Sequence, residues 1–296
     1  MTCGIWLNPS IIPVARHRWL APGRSIGEEV REGETLDFGE IAALSDGAEM
    51  IGVLKMDVDR LGSILSSGMS PPSISRSATL SDAIDLFFSG WLPRICLSHA
   101  ESWRNGLPPD DERGDLVENP FYVLYSGGDD LMIIGPWDGV IHLAERIETD
   151  FTLYCGENPD ITISGGIVVV KPNTPVQISS NLASSALERS KSRGRNRITA
   201  FGETVGWEDY REAIRFGEEL AQAILAGDVP RTFPHFLLRL DEHDINWVPK
   251  LYYVASRRMS LETIEKLNLF DRVTRLKPRG GVTIATSYAI LKTRSP

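Results

Sequence analysis

From residue 121 to residue 135 the chain reads FYVLYSGGDDLMIIG. Apolar runs at 122–125 and 131–134 flank Gly127-Gly128-Asp129-Asp130, and this pattern constrains the fold more tightly than any other stretch. Strand-forming runs joined by Gly-Gly spell a tight hairpin, because primed turns need positive φ at their central residues. The turn then holds two adjacent carboxylates at the tip of an almost wholly apolar hairpin. Crowded like charges are unfavourable without a cation. A cation-binding turn therefore stands beside the plainer reading of a solvated surface turn.

A second acidic pair lies in residues 51–62, IGVLKMDVDRLG. Ile51, Val53 and Leu54 form a buried strand that ends in Asp57-Val58-Asp59. Strand alternation places Asp57 and Asp59 on one face and Val58 on the other. With this strand beside the hairpin, Asp57 meets Asp129 and Asp130 at one edge of the sheet. Converging carboxylates suit hard divalent cations such as Mg2+ or Mn2+, which prefer oxygen ligands and leave positions for substrate phosphates. Such a site can activate a hydroxyl and neutralise a leaving pyrophosphate, the two-metal logic of nucleotidyl transfer.

The rest of the composition narrows the classes. A net charge of −9 argues against a wholly basic nucleic-acid binder, so any such contact must come from local patches. Cys3, Cys96 and Cys155 are isolated, which argues against a disulfide framework or a cysteine-rich zinc site and suits a reducing cytoplasm. No apolar run approaches the roughly 18 residues needed to span a bilayer. Pro9 and Pro13 interrupt any signal-like core near the N-terminus.

In chain order, residues 1–45 carry Pro9, Pro13, Pro22, Gly23, Gly27 and Gly33 without a sustained period. They read as an irregular lead-in or the remnant of a preceding domain, with a short helix at 37–45, in a chain that is a fragment, one piece of a split protein, or complete. Residues 73–99 are helical, with Ile74, Leu80, Ile84, Phe87, Phe88 and Trp91 spaced for one apolar face. Residues 101–119 form an acidic exposed loop. A helix at 141–154 buries Ile141, Leu143, Ala144, Ile147 and Phe151. Residues 161–170 (ITISGGIVVV) return as a strand, in which Gly165-Gly166 marks a bulge or a close approach to a ligand. A third helix covers 175–192, with Pro175 at its first position after Thr174 as cap, and a short strand follows at 198–201. Apart from the last helix and strand, this order is the split βαβ plan, an antiparallel sheet with helices on one face. Residues 46–205 make this ferredoxin-like α+β domain. Residues 206–296 make a small all-α domain, with helices at 210–226, 233–240, 247–258 and 261–270. Residues 284–291 are a last helix, or begin as a strand at Thr283 and Ile284. From Asp271 onward Arg272, Arg275, Lys277, Arg279, Lys292 and Arg294 face one acid. They form either a solvated face or an RNA or partner contact.

Where the third helix runs out, SKSRGRNR places Lys191, Arg193, Arg195 and Arg197 in seven residues. Gly194 fits a C-cap, and basic residues suit the helix C-terminal dipole. Beside an acidic metal site, the cluster also fits contact with a triphosphate, lysine as a point charge and arginine as a fork. Lys191 and Arg195 are the expected phosphate contacts.

MDVDRLG, SGGDD, ITISGGI and SKSRGRNR stand here in the order of the nucleotide-cyclase palm. The chain therefore resembles the palm shared by GGDEF-type diguanylate cyclases and the large subunit of type III CRISPR effector complexes. SGGDDL, DVDRLG and the later PKLYYVASRR resemble the CRISPR branch, as its second palm and C-terminal helical domain, over residues 40–296. The resemblance implies synthesis of cyclic oligoadenylates from ATP, an antiviral signal, in a cytoplasmic RNA-guided complex. It implies metal ligands at Asp57, the Val58 carbonyl, Asp129 and Asp130, with Asp130 either ligating or orienting. It implies that Gly127 and Gly128 let backbone approach the phosphates and that Lys191 and Arg195 hold them. Ser126 contacts a base or ribose, or is a plain turn residue; Asp59 ligates, or stands behind the ligands. Guide RNA, target RNA and neighbouring effector subunits are the implied partners, and no membrane is. The HD nuclease domain, first palm and zinc-binding segment usual in that family are not in this sequence, and His243-Asp244 is a poor nuclease candidate. The acceptor nucleotide then needs a first palm from another chain, a homodimer, or the remainder of a longer protein. Two alternatives stay open: a free-standing cyclic-dinucleotide synthase and a non-catalytic scaffold subunit. Against the first, the stretch before the turn lacks an RxxD motif and Leu65 occupies the position that reads guanine in diguanylate cyclases.

Overall fold

The computed structural model describes residues 11–21, 29–68, 73–105, 113–241 and 243–294. Cys3, Pro9, Pro22, Gly23 and Gly27 lie outside them, as do residues 106–112 of the exposed loop expected at 101–119, whose residues 101–105 and 113–116 are helical and whose Val117 and Asn119 are buried. The described residues fall into two compact units, one within Met1–Ser45 and Glu49–Asn196, the other within Asp46–Ala48 and Arg197–Pro296.

The first unit runs α1 (Phe38–Ala43), β1 (Ile51–Val58), α2 (Leu61–Ser67), α3 (Ile74–Leu86), a π-helical turn (Phe87–Trp91), α4 (Leu92–Asn105), α5 (Arg113–Leu116), β2 (Tyr122–Gly127), β3 (Asp130–Pro136), α6 (Trp137–Tyr154), β4 (Ile163–Val170) and α7 (Val176–Ser192). Its strands lie in the order β2-β3-β1-β4. All three pairings are antiparallel, so the expected ferredoxin-like plan holds and β1 sits between the hairpin and β4.

The two faces of β1 are covered differently. Gly52 points at α6, where Val140 leaves no room for a side chain. The expected apolar set of α6, from Ile141 to Phe151, is fully buried, each large side chain contributing about 1.5–3 kcal/mol. This helix begins at Trp137, earlier than the sequence suggests. Phe87 and Phe88 pack edge-on against each other, and Phe87 against Phe151 at 5.2 Å. Of the six residues expected to make one apolar face over 73–99, Ile84, Phe87 and Phe88 are buried, whereas Ile74 and Trp91 are exposed. The π-helical turn resets the helix phase there, so one continuous stripe cannot form.

On the other face Ile51 and Val53 join Met132, Ile134 and Ala183 of α7 in a core that also takes Ala15, Val30, Leu36 and Ile41. The lead-in, expected to be irregular, thus supplies core residues and makes the bridges Val14–Thr35 and Trp19–Val30. Its short helix is real and closed by a capping box between Asp37 and Glu40. The Gly165-Gly166 pair marks no bulge, and what approaches it is protein. A Cβ on Gly166 would lie 2.3 Å from the Leu187 amide nitrogen of α7. Pro175 is the N-cap residue of α7 rather than its first helical residue, a shift of one position.

The second unit holds β5 (Arg197–Ala200), β6 (Glu203–Gly206), α8 (Trp207–Leu225), α9 (Phe233–Arg239), α10 (Trp247–Arg258), α11 (Leu261–Lys266), α12 (Leu269–Leu276), a 3-10 turn (Lys277–Arg279) and α13 (Gly281–Lys292). The β5–β6 hairpin was not expected; its loop is Phe201-Gly202, both at positive φ, and phenylalanine gives no turn signal. The single helix expected at 261–270 is broken at Asn268, which has φ 44. Residues 284–291 are helical within α13, which packs its buried Ile284, Ala285 and Tyr288 in this unit. The basic stretch after Asp271 is largely engaged within this unit. Arg272 pairs with Glu212 and Glu219, Arg275 with Glu212, Arg279 with Asp209, and Lys292 with Asp46. Those pairs account for four of its six cations without an outside partner. No described helix is long and apolar enough to cross a membrane.

Gly166→Ala is expected to lower stability by about 3 kcal/mol, because helix backbone cannot yield as a flexible side chain would. A fall in urea midpoint at unchanged m-value checks this; an unaltered midpoint would refute the close approach.

Candidate active site

β1 delivers the first carboxylate. Its register places Asp57 opposite Asp130 of β3 on one side and Ser164 of β4 on the other. The Gly127–Asp130 pairing leaves a two-residue loop, Gly128-Asp129, with Gly128 at φ +64. Positive φ at the first loop residue is what a II′-type hairpin requires, and glycine adopts it without strain. The Val58 amide donates to the Asp129 carbonyl at 2.9 Å, sewing the turn to the end of β1. Asp57 and Asp130 thus stand side by side at one end of the sheet, with Asp129 in the adjoining turn.

Electrostatics at Asp57 reflect burial first and crowding second. Burial pushes the Asp57 carboxyl above the usual carboxylate range, and the charges of Asp129 and Asp130 push the same way. Lys191 opposes both by hydrogen bond and charge, with Nζ 2.5 Å from Asp57 Oδ1. Lys191 reaches Asp57 because α7 lies against β4 through Gly166, held by Ser190 Oγ donating to the Gly165 carbonyl at 2.7 Å. Among the described residues no three His, Cys, Asp or Glu side chains are already gathered around a common metal position. The donors at this edge are nevertheless hard oxygens that repel one another, and that chemistry fits Mg2+ or Mn2+.

The other expected residues fall as follows. Arg195 lies in the turn after α7 at φ 64, followed by Asn196 at φ 46. Arg197 belongs to β5 in the second unit. Ser126 is in register with Leu131, so alternation turns it to the face opposite Asp57 and Asp130. Its hydroxyl donates to the Phe88 carbonyl at 2.5 Å, which favours an anchoring role over contact with base or ribose. The Gly128 N–H, expected to face phosphate, donates to Asp85 Oδ1 at 2.7 Å. Asp59 lies beyond the last residue of β1 and is 2% exposed, so it is no neighbour of Asp57 on an open face. Asp244 of the His243-Asp244 pair accepts from Asn246 N–H and pairs with Lys250.

Sequence reasoning missed Asp85 and Lys55. Asp85 carries no local motif, and only the fold brings α3 to the turn. Lys55 had a signal: it interrupts an apolar strand two positions before Asp57, hence on the same face. Its Nζ donates to Ser184 Oγ at 3.0 Å and lies 5.6 Å from the Tyr125 ring centre.

The raised Asp57 carboxyl has a sign. The folded chain holds its proton to higher pH than the unfolded chain does. Stability therefore falls as pH rises through the window between the ordinary and raised values, and stays flat above it. Asp57→Asn is expected to raise the urea midpoint at pH 7 in metal-free buffer, and the gain should shrink towards pH 4. A lower midpoint at pH 7 would mean that the Lys191 pair outweighs burial and crowding.

Comparison with known proteins gives this arrangement a family. Residues 50–199 match the family model for the Cas10/Cmr2 second palm domain. The CRISPR system single-strand-specific deoxyribonuclease Cas10/Csm1 (subtype III-A) of Methanocaldococcus jannaschii is 36% identical over 197 residues, covering 61% of this chain and 24% of that protein. Its counterpart from Thermococcus onnurineus is 35% identical over 172 residues, covering 58% and 21%. The chain thus spans about a quarter or less of the length of these relatives. A Csm1-Csm4 cassette in complex with cA4 shares the fold with TM-score 0.67 at 24% identity, over 95% of this chain and 40% of that one. A Csm1-Csm4 cassette in complex with one ATP aligns with TM-score 0.65 at 26% identity, over 88% and 38%. With the match spanning half its length and the acidic hairpin lying within it, this chain belongs to the Cas10/Cmr2 second palm domain family.

Proposed function

We propose that this chain is the nucleotide-joining palm of a type III CRISPR effector subunit, making cyclic oligoadenylates from ATP when target RNA is bound. The observation that carries the reading is the in-register meeting of Asp57 and Asp130, with Asp129 in the adjoining turn and Lys191 paired with Asp57. It is supported by relatives solved with ATP, pppApA, pppApApA, cA3 and cA4, a series running from substrate through linear chains to rings.

The 3′-hydroxyl oxygen of one nucleotide attacks the α-phosphorus of another. The bond to the β-phosphate oxygen breaks, pyrophosphate leaves with that electron pair, and the hydroxyl proton passes to solvent. Asp57 and Asp129, with the Val58 carbonyl, would hold Mg2+ or Mn2+, and Asp130 would ligate or orient. Such an ion, when bound, supplies an acidified hydroxyl and charge neutralisation on the departing pyrophosphate. Lys191 exchanges Asp57 for the triphosphate as substrate enters, and Arg195 flanks it from the turn after α7. Gly127 presents no side chain, so backbone can approach phosphate there. At Gly128 a phosphate would have to take the N–H from Asp85. The acceptor nucleotide sits on a first palm, from the remainder of a longer chain, a separate chain or a second copy. Neighbouring effector subunits, guide RNA and target RNA complete the cytoplasmic assembly, as the Csm1-Csm4 pairing of its relatives suggests.

Mass spectrometry of products from ATP or GTP with Mg2+, with and without guide complex and target RNA, tests this reading. Oligoadenylates that depend on target are expected. Cyclic dinucleotides made by the chain alone would favour a free-standing cyclase, and no product under any condition a scaffold. Asp129→Ala with Asp130→Ala is expected to cut product yield by about 100-fold or more. Lys191→Ala is expected to raise the ATP concentration for half-maximal rate by about tenfold. An unchanged yield in the first variant would sink the metal assignment, and an unchanged ATP dependence in the second the phosphate assignment.

A further inference from the structure

Asp59 is the one carboxylate of the four in the two acidic motifs that does not meet the others, and its surroundings say why. Its side chain is 2% exposed. Oδ1 accepts from Ser164 Oγ at 2.8 Å, and Oδ2 accepts from Thr162 Oγ1 at 2.8 Å and from the Asn196 backbone N–H at 2.9 Å. The Asp59 N–H in turn donates to the Thr162 carbonyl at 2.8 Å. Both oxygens are committed, and every donor is neutral. Three segments meet on this one side chain: the end of β1 that carries Asp57, the start of β4, and the turn that ends α7.

That turn is left-handed. Arg195 and Asn196 both adopt positive φ, 64 and 46, a conformation that asparagine tolerates and arginine seldom holds without compensation. The N–H of Asn196 finds its acceptor on Asp59, so the hydrogen bond ties down the turn that follows Ser192, the last residue of α7 and the one after Lys191. We infer that Asp59 is a positioning residue: it fixes the Lys191 and Arg195 side of the site relative to the Asp57 side, and it does so as a hydrogen-bond acceptor rather than as a metal ligand. This inference rests on the nucleotide-joining reading above and extends it to a residue that reading leaves out.

The inference separates two affinities that a general loss of stability would lower together. Asp59→Ala removes the acceptor of the turn and leaves Asp57, Asp129 and Asp130 in place. Asp59→Asn keeps a carbonyl oxygen for Thr162 Oγ1 and Asn196 N–H, while its amide can donate to Ser164 Oγ. Mn2+ binding to the full chain, followed by electron paramagnetic resonance, and binding of radiolabelled ATP by equilibrium dialysis give the two readouts. The expected result is an ATP dissociation constant about tenfold or more higher in Asp59→Ala. Its Mn2+ constant should stay within about threefold of the wild type, and both constants should return to near wild type in Asp59→Asn.

Loss of Mn2+ binding in Asp59→Asn would overturn the inference and make the charge a metal ligand. An ATP constant in Asp59→Ala equal to that of the wild type would also overturn it. Should Asp59→Ala fail to fold, Asp59→Asn decides alone, since retained binding of both ligands without the charge is what an acceptor role requires. A wild-type chain that binds neither Mn2+ nor ATP would overturn the proposed function itself, which separates that failure from this one.

Discussion

The antiparallel seating of β1 between β3 and β4 is the constraint on which the site depends. Register in an antiparallel pair admits no intermediate positions, since a slip of one residue turns every side chain to the other face. Burial on both faces of β1, by α6 on one and by α7 with the lead-in on the other, makes such a slip costly. Asp57 is therefore locked opposite Asp130, and the electrostatic cost of that meeting is carried by the core beneath it. Burial raises the Asp57 carboxyl first of all, and the neighbouring charges of Asp129 and Asp130 add to it. In the function proposed above, a divalent cation at this acidic edge would relieve that cost.

The cationic side is positioned by close backbone approach rather than by side-chain length. α7 can come within reach of Asp57 because Gly166 presents no Cβ to it. Ser190 and Lys55 then pin the helix to β4 and to β1. The same helix ends in the turn held by Asp59, so the segment that brings Lys191 forward is fixed on its flank and at its end. A side chain as flexible as lysine gains defined placement only when the helix that bears it is so constrained.

The hairpin tip is held from the opposite face. Asp85 takes the Gly128 N–H and the Phe88 carbonyl takes the Ser126 hydroxyl, both from the segment around the π-helical turn. Tyr154 at the end of α6 reaches the same segment through the Ala83 carbonyl at 2.8 Å. The acidic turn is thus not a free loop: it is continuous with a helical arm whose own packing depends on Phe87, Phe88 and Phe151.

The sequence by itself determined what is local. Gly-Gly between apolar runs gives the hairpin, because a tight turn needs positive φ where only glycine is unstrained. The capping box of α1, the buried set of α6 and the Gly194 end of α7 follow from three- and four-residue spacings that no partner can alter. It also placed Asp57 beside the hairpin, since the order of elements leaves β1 few neighbours. What needed the tertiary structure was every assignment in which a local pattern had two equally good partners. Gly165-Gly166 meets a helix and not a ligand, Ser126 faces the helical arm, and the late basic stretch pairs with acids of α8. Asp59 shares the face of Asp57, since it bonds Ser164, the register partner of Asp57, yet it is buried and both its oxygens are already bonded. Local spacing says which atoms are available; only the fold decides which of them are already taken.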